Sequence, residues 1–226
     1  MNNSADSKSV LVPLFPLPRV VLFPHAVMPF HLFEPRYRAL ARDLAQFDGR
    51  IGISVLKTTD DHSYFAQTAP IHQTICVGKV IGAEKLRDGT HNILVRGAFR
   101  ASIVEEVRQN PYRVARVVPD AASRQPCGTI ARQMGRKLRD ALTSDCGLDS
   151  CMLEQWRRIV AAPVQLDMMT DLIAGDFPAA PELRYALLAE GSPESRASMI
   201  IQCLGTLRNI RRAKLRGQQN VELARN

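Results

Sequence analysis

Five cysteines and five histidines supply the strongest nucleophiles and metal ligands of this 226-residue chain. The cysteines, at positions 76, 127, 146, 151 and 203, form no C-x-x-C pair, and the histidines are scattered. A structural zinc site needs closely spaced pairs of these residues, and no nucleophile motif of the G-x-S-x-G kind is present. We therefore expect no metal, no cofactor, and reduced thiols that are mostly buried.

Glu34 is the carboxylate that we considered as a general base. It precedes Pro35, which suits the first turn of a helix because proline has no N–H to leave unsatisfied there. A carboxylate at this point also meets the positive end of the helix dipole. We favour the structural interpretation, in which Glu34 caps the helix and Tyr37 packs, so no catalytic residue is predicted. A hydrolase whose site is assembled only in space remains an alternative.

The apolar run from Val20 to Phe33 could bind an extended peptide. It contains more large apolar residues than one short barrel strand needs. Methionine adapts its shape and aromatic rings offer a large contact area, and both suit recognition of many sequences. The candidate peptide-binding residues are Phe23, Met28, Phe30 and Phe33. The alternative, which we favour, is that these side chains fill the core.

The chain is basic, with a net charge of +8 that both halves share. Only the cluster Arg208, Arg211, Arg212, Lys214 and Arg216 concentrates it. Such a cluster could bind nucleic acid, but cations also suit the carboxyl end of a helix, and we favour that interpretation. Aromatic residues make up only 6% of the chain, and no basic strand is interleaved with them. Nucleic acid is thus a less favoured partner.

The first half of the chain has the pattern of strands. Alternation over residues 93–103 predicts a strand with one buried face, and Gly78 and Gly82 predict bulges in the strand before it. Asp88-Gly89 predicts the hairpin turn between them, with positive φ at both residues. Apolar residues at intervals of three and four over residues 33–47 predict one helix, which Asp48-Gly49 ends. Short strands with glycine bends favour a partly closed β-barrel.

The second half has the pattern of helices, with apolar residues at helical spacing from residue 129 onward. Residues 119–128 contain two prolines and a glycine and are predicted to form a linker. The fold class is therefore α+β, with a barrel over residues 10–120 and a helical bundle over residues 121–216. No apolar run reaches the ~18–20 residues that a membrane span needs, and no signal peptide is evident. We expect a cytoplasmic protein with no membrane partner.

An ordered set of motifs resembles the amino-terminal, substrate-binding domain of Lon proteases. The first three are Leu14-Phe15-Pro16-Leu17, Val21-Leu22-Phe23-Pro24 and Phe33-Glu34-Pro35-Arg36-Tyr37. Asp88-Gly89-Thr90 followed by Arg96-Gly97-Ala98-Phe99-Arg100 resembles the hairpin of that domain. The resemblance extends over roughly residues 10–210 and is strongest in the first half.

The resemblance implies a PUA-like β-barrel followed by a helical bundle that engages unfolded substrates. The phosphate-binding motif G-x-x-x-x-G-K-[ST] is absent from the sequence, since Gly78-Lys79 is followed by Val80. We expect a protein without ATPase or peptidase activity that binds unfolded or extended polypeptide segments or a protein partner. An RNA-binding PUA-like protein is the other alternative, beside the hydrolase.

Overall fold

The computed structural model describes residues 9–57, 69–108, 110–120, 128–143 and 148–223, with side chains described up to residue 216. Within these residues the strands are β1 Val10–Leu17, β2 Val27–Leu32, β3 Arg50–Val55, β4 Thr74–Lys85, β5 His91–Arg108 and β6 Val114–Pro119. The helices are α1 Pro35–Asp43, α2 Thr129–Thr143, α3 Ser150–Ala161, α4 Leu166–Asp176, α5 Pro181–Ala189 and α6 Pro193–Leu223, with a 3-10 helix at Leu44–Phe47. None of the described helices is long and apolar enough to cross a membrane.

The strands form one sheet in the order β2-β5-β4-β3-β1-β6. The sheet curves back on itself, because β6 at the end of this order also pairs with the second half of β5. The predicted α+β class, with a partly closed barrel before the helices, is confirmed. β5 makes the curvature possible because it is 18 residues long and pairs with β2 along its first half and with β6 along its second.

The pattern of β5 agrees with the predicted alternation, since Ile93, Val95 and Ala101 are buried and the residues between them are mostly exposed. The register between β4 and β5 shifts at Val77/Gly78 and again between Val80 and Gly82, which are the two predicted bulges. The hairpin turn lies where Asp88-Gly89 predicted it. Its type differs, because Gly89 alone takes positive φ (82°) while Asp88 accepts hydrogen bonds from Thr90. The loop is thus the three-residue kind with a left-handed glycine.

β1 contains two prolines, which are typical of an edge strand or a strand end, yet it lies between β3 and β6. The register explains the difference. Residues 10–13 pair with β6, whereas residues 14–17 pair with β3, so each half of β1 pairs on one side only. Pro13 and Pro16 therefore each lack a ladder partner on one side, as a proline in a sheet requires.

Contacts between Cα atoms divide the chain into two compact units. The first comprises Met1–Arg124 with Ala174–Gly191, and the second comprises Gln125–Ile173 with Ser192–Asn226. Helix α5 thus belongs to the unit that contains the sheet. The core of the sheet is formed by buried aliphatic side chains, among them Val12, Leu14, Ile75, Val77 and Val117. Most of the predicted linker, residues 121–127, lies outside the described residues, and the predicted boundary near residue 120 stays a prediction.

The second unit is helical. α2 packs against α6 and α3, and buried Leu138, Leu142, Trp156 and Leu204 fill the space between them. Asp149 accepts hydrogen bonds from the first backbone N–H groups of α3. The Ser192 hydroxyl accepts a hydrogen bond from the Ser195 N–H at the start of α6. α4 begins at Leu166.

Candidate peptide-binding site

The structure separates the four candidate residues. Phe23 is fully buried in the core of the first unit, with none of its surface exposed. Met28 and Phe30 are half-buried, and the ring of Phe30 packs edge-to-face on Phe15 with 5.6 Å between the centroids. Phe33 alone is well exposed, at 53% of its surface. The structure therefore does not bring the four together on one surface.

The division follows from the two faces of β2. Met28, Phe30 and Leu32 point towards the interior, while Val27, Pro29 and His31 alternate with them and are exposed. Phe33, one residue beyond the strand, stacks its ring on His31. Val27, Pro29, His31 and Phe33 thus form an exposed row along the outer face of β2. About 20 Å separates its ends, at ~3.3 Å per residue.

Two apolar side chains on neighbouring strands widen this row. Leu94 of β5 is exposed and lies opposite Pro29 on one side and Gly82 on the other. Ile81 is also exposed and occupies the bulge of β4 next to Gly82. We call the exposed side chains together the apolar patch: Val27, Pro29, Phe33, Ile81 and Leu94. Of these residues, the sequence analysis predicted only Phe33. Strict alternation along residues 27–33 would have separated the residues on the outer face of β2 from those on its inner face.

Polar side chains border and interrupt the apolar patch. His31 hydrogen-bonds to Asn92 on β5, with 2.8 Å between Nδ1 and the amide oxygen, and exposed Arg96 lies opposite Val27. An apolar surface with a few fixed polar groups is typical of sites that bind polypeptide side chains. The apolar patch combines an aromatic ring, aliphatic groups and a proline, so it can contact apolar side chains of different shapes.

The free edge of β2 lies beside the apolar patch. β2 stands at the end of the strand order, and among the described strands only β5 pairs with it. Such an edge presents backbone N–H and C=O groups to which a further extended segment can pair. Pro29 removes one N–H from this edge. A segment added here would therefore pair through the remaining backbone groups and place alternate side chains towards the patch.

Glu34 has a structural environment. It occupies the N-cap position of α1, but its side chain makes no capping hydrogen bond. Its carboxylate instead forms an ion pair with Arg36 at 2.8 Å, and the Arg36 guanidinium lies 4.6 Å from the centroid of the Tyr37 ring. Tyr37 is buried and packs edge-to-face on Phe15. The segment thus fixes the start of α1, through a contact other than the predicted cap.

Other groups that could support chemistry are dispersed. Among the described residues there is no group of three or more His, Cys, Asp or Glu side chains that could hold a metal ion. Of the described thiols, Cys76 is buried, Cys151 is exposed and Cys203 lies between these extremes, where burial raises its pKa. In the basic cluster of α6, Arg208 donates to the backbone carbonyl of Ala141 at 3.0 Å, and residues 211–216 are exposed. Nucleic-acid binding by this cluster stays a prediction.

Comparison with known proteins places the chain in a family. Residues 11–206 match the model of the ATP-dependent protease La (LON) substrate-binding domain. The chain belongs to this family. The Lon protease 2 of Myxococcus xanthus is 25% identical over 210 residues, which are 92% of this chain and 25% of that protein. The Lon protease 2 of Syntrophobacter fumaroxidans is 30% identical over 115 residues, half of this chain and 14% of that one.

Two solved structures of Lon amino-terminal domains share the fold. The N-terminal domain of Mycobacterium avium complex Lon protease gives a TM-score of 0.67 at 15% identity and covers 86% of this chain and 98% of its own. The Lon N-terminal domain protein from Xanthomonas campestris gives 0.58 at 21% identity, over 85% and 98% of the two chains. The family match thus concerns the Lon substrate-binding domain, and this chain spans about a quarter of the length of the M. xanthus protease.

Proposed function

We propose that this protein binds unfolded or extended polypeptide segments at the apolar patch and the adjoining edge of β2, and that it does so without catalysis. The observation that carries the proposal is the row of exposed side chains along an edge strand. Val27, Pro29 and Phe33 lie on β2 or directly after it, and Leu94 and Ile81 continue the surface on β5 and β4. Membership of the Lon substrate-binding domain family supports it.

In the proposed complex, an extended segment lies along β2 and pairs with its free backbone groups. These hydrogen bonds do not depend on side-chain identity, so they suit a binder of many sequences. Every second side chain of the segment then meets the apolar patch, where burial of apolar surface supplies ~25 cal/mol per Å² before the cost of ordering the segment. Unfolded chains expose both the extended backbone and the apolar side chains that this mode needs.

The four residues predicted from sequence have different roles in this proposal. Phe33 contacts the segment directly. Met28 and Phe30 support β2 from its inner face, where Phe30 packs on Phe15, and direct contacts by these two residues remain a prediction. Phe23 acts in the core. A cytoplasmic location, where unfolded chains are abundant, is part of the proposal.

Binding of a labelled, permanently unfolded protein, measured by fluorescence anisotropy, tests the proposal. Phe33→Ser and Leu94→Ser each remove an exposed apolar side chain, so each should weaken binding about fivefold or more. Val104→Ser is the matched control, because Val104 is 60% exposed on β5 and lies outside the apolar patch. Circular dichroism and thermal unfolding establish that each variant is folded. Folded patch variants that bind as tightly as the parent would remove the patch from the proposal.

The contribution of the β2 edge is tested separately with peptides. A short apolar peptide should compete with the unfolded protein, whereas the same peptide with alternate backbone nitrogens methylated should compete poorly because it cannot form the strand ladder. Methylating the other set of nitrogens, which face away from β2 in the bound register, leaves competition intact. Equal competition by all three peptides would show that binding uses side chains only.

A further inference from the structure

The second unit contains a cleft that is separate from the apolar patch. It has a volume of about 350 Å³ and lies between α2 and the chain at residues 164–169. Leu166 and Met169 form part of one wall, and Arg132, Arg136 and Arg139 line the other. Its size is within the ~300–1,000 Å³ usual for ligand sites.

The arginines give the described lining of the cleft a positive charge. They recur at intervals of four and three, so they lie along one face of α2, and no acidic side chain is among the described residues that line the cleft. Arg139 donates to the backbone carbonyl of Val160 at 2.8 Å. Arg132 and Arg136 are exposed.

Acidic side chains adjoin the cleft without lining it. Asp167 follows the lining residue Leu166, and its carboxylate accepts from the backbone N–H of Met168 at 2.7 Å. Like charges four residues apart destabilise a helix by a few tenths of a kcal/mol. An anionic ligand placed in the cleft would remove this repulsion.

Gly135 opens the middle of the cleft, one turn from both Arg132 and Arg139. Apart from its chain neighbours and the nearby backbone of its own helix, no described atom lies within 4 Å of the position that a Cβ at residue 135 would occupy. Glycine inside a helix costs ~1 kcal/mol relative to alanine. No tight contact at residue 135 requires a glycine, so the packing of the helix does not explain this cost. A ligand can approach the helix backbone at this position, between the guanidinium groups.

We propose that this cleft binds an acidic segment of extended polypeptide, with carboxylates at alternate residues and small apolar residues between them. Arg132 and Arg136 are separated by ~6 Å along the helix axis, and alternate side chains of an extended chain are ~6.6 Å apart. Successive carboxylates can therefore pair with successive arginines, while half-buried Val164 and the small exposed surface of Leu166 and Met169 pack against the apolar residues. The proposal does not depend on the apolar patch of the first unit.

Single-stranded nucleic acid is the less favoured occupant, although its phosphates are also anionic. Proteins that bind it without sequence preference combine basic grooves with aromatic side chains on which bases stack. Among the described residues, no Phe, Tyr, Trp or His lines this cleft. The apolar wall of Leu166 and Met169 suits aliphatic groups instead.

The test is the binding of a fluorescein-labelled ten-residue peptide, with glutamate alternating with alanine and leucine, to the full chain. We expect binding that weakens as salt is raised, and much weaker binding of the same peptide with glutamine in place of glutamate. Arg136→Gln should weaken binding about three- to fivefold. Lys137→Gln is the matched control, because it removes the same charge from the adjacent exposed residue outside the cleft.

Gly135→Leu supplies an independent variant. Leucine is a better helix former than glycine and has open space to occupy, so the variant should fold and lose binding about tenfold or more by filling the cleft. Unchanged binding by folded Gly135→Leu would overturn the proposal. So would equal affinity for the glutamine peptide, or tighter binding of a ten-nucleotide uridine oligomer. Val104→Ser, at an exposed residue outside both the cleft and the apolar patch, should leave binding of the acidic peptide unchanged.

Discussion

Arg100 on β5 donates a hydrogen bond from Nε to the backbone carbonyl oxygen of Leu188 at the end of α5, at a distance of 2.8 Å. The two residues are 88 positions apart, and Arg100 is only 1% exposed. The same guanidinium lies 5.9 Å from the centroid of the Phe23 ring. The final arginine of the hairpin motif thus links β5, α5 and the Val21–Pro24 segment inside the first unit.

Replacing Arg100 should loosen α5 from the sheet. Arg100→Met keeps most of the aliphatic length but removes the donor, which leaves a buried carbonyl without this partner and should cost about 1.5–3 kcal/mol of unfolding free energy. Urea denaturation measures this loss. Arg96→Met is the control, because Arg96 is exposed on the same strand. Equal stability of the two variants would show that the buried link contributes nothing.

Gly97 should tolerate no side chain, because the backbone of the Phe23-Pro24 segment passes directly over it. A Cβ at residue 97 would lie 2.0 Å from the carbonyl oxygen of Phe23. The segment is held there by two backbone hydrogen bonds, from His25 N–H to Gly97 and from Gly97 N–H to Ala26. Gly97→Ala must therefore displace backbone, and we expect a loss of about 3 kcal/mol or more.

Gly82→Ala is the matched control for Gly97→Ala. Gly82 also lies in the sheet with ordinary φ, but the nearest atom to a Cβ there is the Leu94 Cβ, at 3.6 Å, an ordinary van der Waals contact. Thermal unfolding should show a much lower midpoint for Gly97→Ala and a small change for Gly82→Ala. Similar midpoints would mean that the segment over Gly97 moves aside without cost.

Several elements of the first unit were predictable from the sequence because they depend on residues that are close together in the chain. Alternation along β5, the bulges near Gly78 and Gly82 and the turn at Gly89 each have a direct physical signature. The packing of α5 in the unit of the sheet has no such signature. The helical periodicity of α5 shows which face of the helix is buried, but it does not show which element covers that face. That association depends on contacts such as Arg100 with Leu188, which are distant in sequence.

The candidate site was only partly predictable for a related reason. Residues 27–30 are apolar on both faces of β2, so hydrophobicity alone does not distinguish Met28 and Phe30 inside from Val27 and Pro29 outside. Leu94 joins the apolar patch only through its register with Pro29. The cleft of the second unit likewise requires knowledge of which chain segment faces the arginines of α2.

His72 should make the first unit less stable at mildly acidic pH. Its ring stacks on Tyr185 of α5 with 3.9 Å between centroids, and burial together with the charge of Lys57 lowers the pKa of His72. The unfolded chain, where the pKa is about 6.5, then takes up the proton more readily than the folded one. The contribution of His72 is therefore complete above pH ~6.5 and is lost as pH falls through its lower folded value.

His72→Phe keeps an aromatic ring against Tyr185 but cannot titrate. The unfolding free energy of the parent should decrease more steeply between about pH 7 and pH 5 than that of the variant. Urea denaturation at several pH values gives both slopes, and the His72 ring signal in NMR gives the folded pKa directly. Parallel slopes would show that protonation of His72 is not linked to folding.

Arg196 and Asp171 form a buried ion pair within the second unit. Arg196 Nε lies 3.3 Å from a carboxylate oxygen of Asp171, both side chains are almost fully buried, and Nε also donates to Thr170 Oγ1 at 3.2 Å. The Thr170 hydroxyl in turn donates to the backbone carbonyl of Leu166. Removing one partner leaves the other charge buried, so Arg196→Met and Asp171→Leu should each cost about 3–5 kcal/mol.

The double variant separates two explanations: either the ion pair itself stabilises the protein, or each charge only offsets the cost of burying the other. Burying two charges carries a desolvation cost that their attraction only partly offsets, so replacing both with apolar side chains should cost much less than the sum of the single replacements. Urea denaturation of the parent, both single variants and the double variant gives the coupling free energy. Additive losses would show that the two charges do not interact, despite their 3.3 Å separation. We expect a coupling of at least about 2 kcal/mol, because both side chains are almost fully buried and their charges lie 3.3 Å apart.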